Sequence, residues 1–209
     1  MRGRHWLLFV VLLAALGCSG ARVRPEVTYQ GSYASYLSVL DNWTRTGKIY
    51  HNFEPDSMAS ATYFATPMRR AYVAEWTRAF DLPPGESASM LADQLEQDQR
   101  RVEFVISFYT PRMRENDLDS AVSSWRLWFI DATGRKVAPA KIALLKVRHR
   151  QEFDFYPSYT EFGKLYRVFF PVVGEDGQPL VRDQGTITLR IAGVRGLIDL
   201  VWDIPPDAH

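Results

Sequence analysis

The chain has 209 residues, with 25 Lys and Arg against 24 Asp and Glu and a formal net charge of +1. Residues 1–17 hold two of those cations and no acid, so the remainder carries 23 basic against 24 acidic side chains, a balance that excludes the clear basic excess of a dedicated nucleic-acid binder. One cysteine excludes an internal disulfide framework, so a domain of about 185 residues must be held by its core alone, and the 13% aromatic share, with six Trp and ten Tyr, suits sheet packing.

At the N-terminus Arg2 and Arg4 precede an unbroken apolar run of eleven residues, 6–16. As a helix this run covers about 16 Å, roughly half the hydrocarbon core of a bilayer, which is too short to span but fits the apolar region of a secretory signal. Gly17-Cys18-Ser19 follows, after the small residues Ala14 and Ala15. The segment resembles the lipobox of bacterial lipoproteins, Leu-Ala/Ser-Gly/Ala-Cys, with Ala15 where the pattern has Leu and Leu16 where it has Ala or Ser. The resemblance implies a signal peptide over 1–17, a thioether-linked diacylglyceryl group on Cys18, cleavage before it, and acylation of the new amino terminus. Residues 18–26 are then the lipidated cysteine and a tether. Each buried methylene contributes ~0.8 kcal/mol, so two or three acyl chains hold a domain at the membrane almost permanently. By the same resemblance Ser19, rather than Asp, favours the outer membrane facing the periplasm in a Gram-negative source.

The first third of the remaining chain reads as helical. Tyr33, Tyr36, Leu37, Leu40 and Trp43 form a stripe at helical spacing over 32–45, with Gly47 as the expected stop. Residues 48–53 and 59–65 suit short strands. Thr66-Pro67 offers an N-cap and a first-turn proline for a helix carrying Met68, Tyr72, Trp76 and Phe80 at successive i+4 steps. Pro83-Pro84-Gly85 breaks it, and Ser87 is the expected cap of a further helix to about residue 100, its acids preceding Arg100 and Arg101 as the helix dipole prefers.

From Val102 the period changes to two. Val102, Phe104, Ile106 and Phe108 alternate with Glu103, Val105, Ser107 and Tyr109; Trp125, Leu127 and Phe129 lead into the turn at 131–134. Ile187, Leu189 and Ile191, then Ile198, Leu200, Trp202 and Ile204, repeat the pattern around Gly193 and Gly196. A strand, an Asp–Gly turn and a nearby proline occur at 129–139 and at 172–179, which resembles extracytoplasmic immunoglobulin-like domains. The fold expected is α+β in one compact unit: a mainly helical N-terminal layer over 27–101, packed on a C-terminal antiparallel β-sandwich over 102–205.

The catalytic motifs searched for are missing from the sequence: no Gly-x-Ser-x-Gly elbow, no phosphate-cradling glycine loop and no His-Glu-x-x-His helix. His51, His149 and His209 are far apart, with no partner at metal-ligand spacing. The expectation is therefore no catalytic residue, no metal and no cofactor. Two features rise above this background. Lys146, Arg148, Arg150, Glu152 and Asp154 place a charge at every second residue, which as a strand sets one charged row opposite an apolar one, with Lys146, Arg148 and Arg150 facing an anionic surface. The segment 153–170 holds eight aromatics in eighteen residues. Phe153, Phe155, Phe169 and Phe170 are assigned to the core, whereas Tyr156, Tyr159 and Phe162, on a loop with Pro157 and Gly163, are the candidate interaction surface.

These signals point to a lipid-anchored, non-enzymatic interaction or assembly module of a bacterial cell envelope. Its expected partners are the membrane, through the acyl chains on Cys18, and envelope proteins or an envelope polymer, with no nucleic acid. Two alternatives stand beside it. One is a periplasmic carrier or sensor whose apolar ligand sits between helices and sheet, against Trp76, Phe80 and the aromatic segment. The other is a hydrolase using His149 with Glu152 or Asp154, which strand geometry places on opposite faces.

Overall fold

The computed structural model describes residues 27–146, 150–182 and 184–206. The signal segment, Cys18 and the tether lie outside these residues, as do Arg148, His149 and His209.

Helix α1 (Tyr33–Trp43) starts from a reciprocal cap, Ser32 accepting from the Ser35 amide while the Ser35 hydroxyl accepts from the Ser32 amide. It buries Tyr36, Val39, Leu40 and Trp43, one helical face. No turn separates it from strand β1 (Thr44–His51), so Gly47 lies inside a strand rather than ending the helix. The reason is steric: a Cβ at Gly47 would stand 2.4 Å from Ile198 Cγ2. Asn52 and Phe53, both at positive φ (49° and 69°), turn β1 into β2 (Glu54–Tyr63) as a two-residue hairpin.

Helix α2 (Thr66–Phe80) has Pro67 in its first turn, as the sequence suggests, but Thr66 is already helical and the capping residue is Ala65. The Thr66 hydroxyl instead donates to Asp98. Met68, Tyr72, Trp76 and Phe80 do share a face, graded from a fully buried Met68 to a Phe80 that is 40% exposed. Helix α3 (Pro84–Arg100) begins at proline, so Ser87 lies within it and bonds Thr77 (2.7 Å) instead of capping.

Seven further strands follow: β3 (Arg101–Tyr109), β4 (Trp125–Ile130), β5 (Lys136–Val137), β6 (Lys141–Leu144), β7 (Lys164–Pro171), β8 (Gly185–Gly193) and β9 (Gly196–Ile204). The larger sheet has the order β1-β2-β3-β7-β6 and the smaller β5-β4-β8-β9, with every pairing antiparallel. The protein is thus α+β, and its N-terminal third supplies two strands of the larger sheet as well as the helices.

Strand β3 is buried on both faces. Its even-numbered rings meet the smaller sheet: Phe104 lies 5.2 Å from Trp202 and 6.3 Å from Phe129, and Phe108 lies 5.0 Å edge-on to Trp125. The connection 110–124 is tied down by Asn116, whose Nδ2 donates to the Phe108 carbonyl (2.6 Å) and whose Oδ1 lies 2.9 Å from the Tyr166 hydroxyl.

The other face of β3 carries Glu103, 1% exposed, and it meets Arg69 of α2, which is fully buried. Arg69 Nη2 lies 3.1 Å from Glu103 Oε2, Nε 3.1 Å from Asp98 Oδ1, and Nη1 2.9 Å from Gln94 Oε1. Arg167 Nε of β7 and Arg101 Nε approach the same carboxylate at 3.5 Å and 3.8 Å. One buried carboxylate therefore answers three guanidinium groups.

Removing one partner of a buried ion pair leaves charge without compensation. Glu103→Ala should destabilise the protein by about 3–5 kcal/mol in urea unfolding. A loss below about 1 kcal/mol, the worth of an exposed pair, would show that the carboxylate does not anchor these guanidinium groups. Gly47→Ala should cost about 1–3 kcal/mol by forcing β1 from β9, read from the same transition.

Candidate functional site

Between β6 and β7 the described residues contain no further strand. The ladder ends where the Leu145 amide donates to the Leu165 carbonyl (2.8 Å), and β7 begins one residue earlier, at Lys164. A longer strand would have no partner. Residues Arg150–Phe155 form a 3-10 helix, so Arg150, Glu152 and Asp154 of the expected charged row do not lie on a strand. Successive side chains there turn by about 120°, not 180°. Phe155 is buried, as expected, whereas Phe153 is 37% exposed.

The loop after it is a run of tight turns, with i+3 to i amide–carbonyl bonds from Tyr156 to Phe153, Tyr159 to Tyr156, and Gly163 to Thr160 (2.8–2.9 Å). Phe153 and Tyr159 stack with centroids 5.1 Å apart and planes within 2°. Two hydroxyls of α1 hold the segment from below: Tyr36 donates to the Phe155 carbonyl (2.9 Å) and Tyr33 to the Asp154 carbonyl (3.0 Å).

The candidate surface residues separate accordingly. Tyr156, expected exposed, is buried at 8% against Tyr72, because the turn directs it toward the helices. Tyr159 is half-buried under its stack with Phe153. Phe162 is 70% exposed and overhangs an apolar groove of about 250 Å³, formed with Met58, Ser60, Ser107 and Tyr109 of the larger sheet. Lys146 is exposed beyond β6. Arg148 and the side chain of Arg150 lie outside the described residues, and with them two of the three cations of the expected basic row.

A second concavity, of about 520 Å³, opens between the start of α1, the end of α2 and the 3-10 helix. Its volume falls within the range of small-molecule sites. Phe80 and Phe155 line it, their rings 6.3 Å apart and within 13° of parallel, and Trp76 braces both at 4.6 and 4.8 Å. Tyr33, Glu75, Arg78 and Asp154 supply its polar lining.

Glu75, with 2% of its side chain exposed, accepts from Arg78 Nε (2.9 Å) and from the Tyr29 hydroxyl (3.0 Å). The Arg78 bond holds the carboxyl below its ordinary range; burial opposes this and the Tyr29 bond reinforces it. Burial first, and then Glu75, push the Tyr29 hydroxyl up; burial and then Asp154 do the same to Tyr33. The only trace of this polar set in the sequence is the i,i+3 spacing of Glu75 and Arg78, because Tyr29, Tyr33 and Asp154 reach it by tertiary packing. Among the described residues no His, Cys, Asp and Glu cluster could hold a metal ion.

Against protein-family models, curated proteins and solved structures, the chain finds no match.

A carboxyl lowered by folding stabilises fully above its unfolded pKa and loses that contribution as pH falls through the folded value. Glu75 should therefore contribute to an acid-side fall in melting temperature beginning below about pH 4.5. Glu75→Gln should lower the neutral-pH melting temperature and flatten that part of the profile, as followed by circular dichroism. An unchanged acid limb in the variant would remove Glu75 as a contributor.

Proposed function

We propose that this chain is a lipid-anchored lipoprotein of a bacterial cell envelope that acts as a non-enzymatic interaction module. The lipobox-like segment ending at Cys18 supports the anchor and, through Ser19, placement at the outer membrane facing the periplasm. The observation that carries the interaction role is Phe162: a large aromatic left 70% exposed beside an apolar groove, on a loop whose backbone is held by its own turns. The partner is a protein of the envelope that covers this ring.

An immunoglobulin-like β-sandwich belongs to the same reading. Strands β3, β7 and β6 in one sheet and β5, β4, β8 and β9 in the other follow the B-E-D and C′-C-F-G order of such domains, with β2 in the place of strand A. Trp125, 3% exposed, stands at the start of the strand that corresponds to C, where those domains bury a tryptophan. Sandwiches of this kind commonly present loops from one end for recognition. The hairpin tips and the Phe162 loop supply that surface here.

A second reading, a carrier or sensor of a small ligand, is favoured by one observation: the aromatic cleft of about 520 Å³ between the helices and the 3-10 helix.

In-cell crosslinking followed by mild-detergent purification tests the leading reading. The native chain should leave the membrane with a stoichiometric protein partner. Cys18→Ser should release it to the soluble fraction, and Phe162→Ser with Tyr159→Ala should keep it at the membrane but lose the partner. Crosslinks indifferent to the Phe162 change would reject the surface, and membrane retention of Cys18→Ser would reject the anchor.

A further inference from the structure

The cleft beside the end of α2 has a charge as well as a shape. Among the described residues its titratable lining is Glu75, Asp154, Arg78 and Tyr33. Arg78 is committed to Glu75 through both Nε and Nη2, a two-bond arrangement that neutralises the pair. Asp154 is different. Tyr33 is bound to its backbone carbonyl, and its carboxylate enters no ion pair among the described residues. The described lining thus carries one uncompensated negative charge at neutral pH.

The aromatic part of the wall is open at Phe80 and Tyr33, 40% and 37% exposed, while Phe155 is nearly buried at 3%. Phe80 and Phe155 lie nearly parallel with Trp76 against both, and Tyr33 closes the side nearest Asp154. Aromatic faces carry the negative side of the ring quadrupole, and a cation within about 6 Å of a ring centroid is attracted to it. A neutral apolar ligand would gain from the rings but would also have to desolvate Asp154 without compensation. An anion would meet that same carboxylate while Arg78 is already held by Glu75. A positive charge on an apolar body satisfies the rings and the acid together.

We propose that this cleft binds an organic cation, an ammonium or guanidinium group carried on an apolar body, with the charge set against Asp154 and the body between Phe80 and Tyr33. The proposal rests on the second reading above, that the cleft takes a ligand at all, and gives that ligand its chemical class. It is independent of the anchor and of the Phe162 surface.

Three probes separate the possibilities: benzyltrimethylammonium, its uncharged isostere neopentylbenzene, and the anion benzylphosphonate. Each is titrated into the protein, with tryptophan fluorescence reporting at Trp76 and Trp76→Phe as the control for that signal. Benzyltrimethylammonium should bind, at least about tenfold more tightly than the isostere, and benzylphosphonate should be the weakest. Asp154→Asn, at an exposed position that leaves the Tyr33 bond to the backbone intact, should weaken the cation about tenfold and leave the isostere unchanged. Phe80→Ala should weaken both. Equal binding of cation and isostere, or cation binding indifferent to Asp154→Asn, would overturn the cation proposal while keeping a ligand cleft. Binding of none of the three would overturn both.

Discussion

The seat of helices α2 and α3 on the larger sheet depends on the contact between Arg69 and Glu103. Apolar packing alone would hold α2 against the larger sheet without fixing how far along it the helix sits. A guanidinium with three acceptors in a buried setting has no such latitude, because a shift of one helical turn would strand the charge. Arg69 reaches β3 through Glu103 and α3 through Gln94 and Asp98, so one side chain sets the register of three elements. Tyr72, Trp76 and Phe80 follow it at three, seven and eleven residues along the same helix. The seat of Phe155, and with it the cleft, is placed from there.

Glu103 itself shows why this pair is placed where it is. Strand β3 is the middle strand of five and is covered on both sides, a setting in which a lone carboxylate would be discarded in favour of valine or isoleucine. Three arginines from three different stretches of chain converge on it, so the charge is retained only in the completed fold. A sheet assembled without α2 would leave the carboxylate only Arg101 and Arg167, at 3.8 and 3.5 Å, and without its hydrogen bond from Arg69. The network therefore discriminates between the finished arrangement and its loosely packed alternatives.

Much of this architecture was legible in the residues. The period-two runs of β3, β8 and β9, the turn after β4 and the apolar stripes of α1 and α2 each carry a local pattern that the tertiary fold does not override. What was not legible depends on partners distant in sequence. Gly47 reads as a helix stop until β9 is seen against it. The sequence of 145–155 alternates like a strand, but β7 begins at Lys164, and Arg150–Phe155 wind into a 3-10 helix. The change from alternation to threefold turning sends Phe153 outward and Tyr156 inward, the reverse of a strand reading. The cleft was half visible, its aromatic wall from the i+4 spacing and its polar lining not at all, since Tyr29, Tyr33 and Asp154 converge from separate segments.

The bond from Tyr29 to Glu75 has a mechanical consequence. Val27 and Tyr29, at the beginning of the described chain, are packed against the core, and Tyr29 is fastened to an acid that lines the cleft. Tension on the chain that precedes them is borne by these two residues, and through the Tyr29 hydroxyl it reaches the carboxylate that occupies Arg78. Pulled away, Tyr29 would leave Glu75 one hydrogen bond poorer, with Arg78 as its remaining partner. The lining of the cleft would lose a hydrogen-bond donor to its buried acid, so the fold couples a load on its N-terminal segment to the polarity of a cavity.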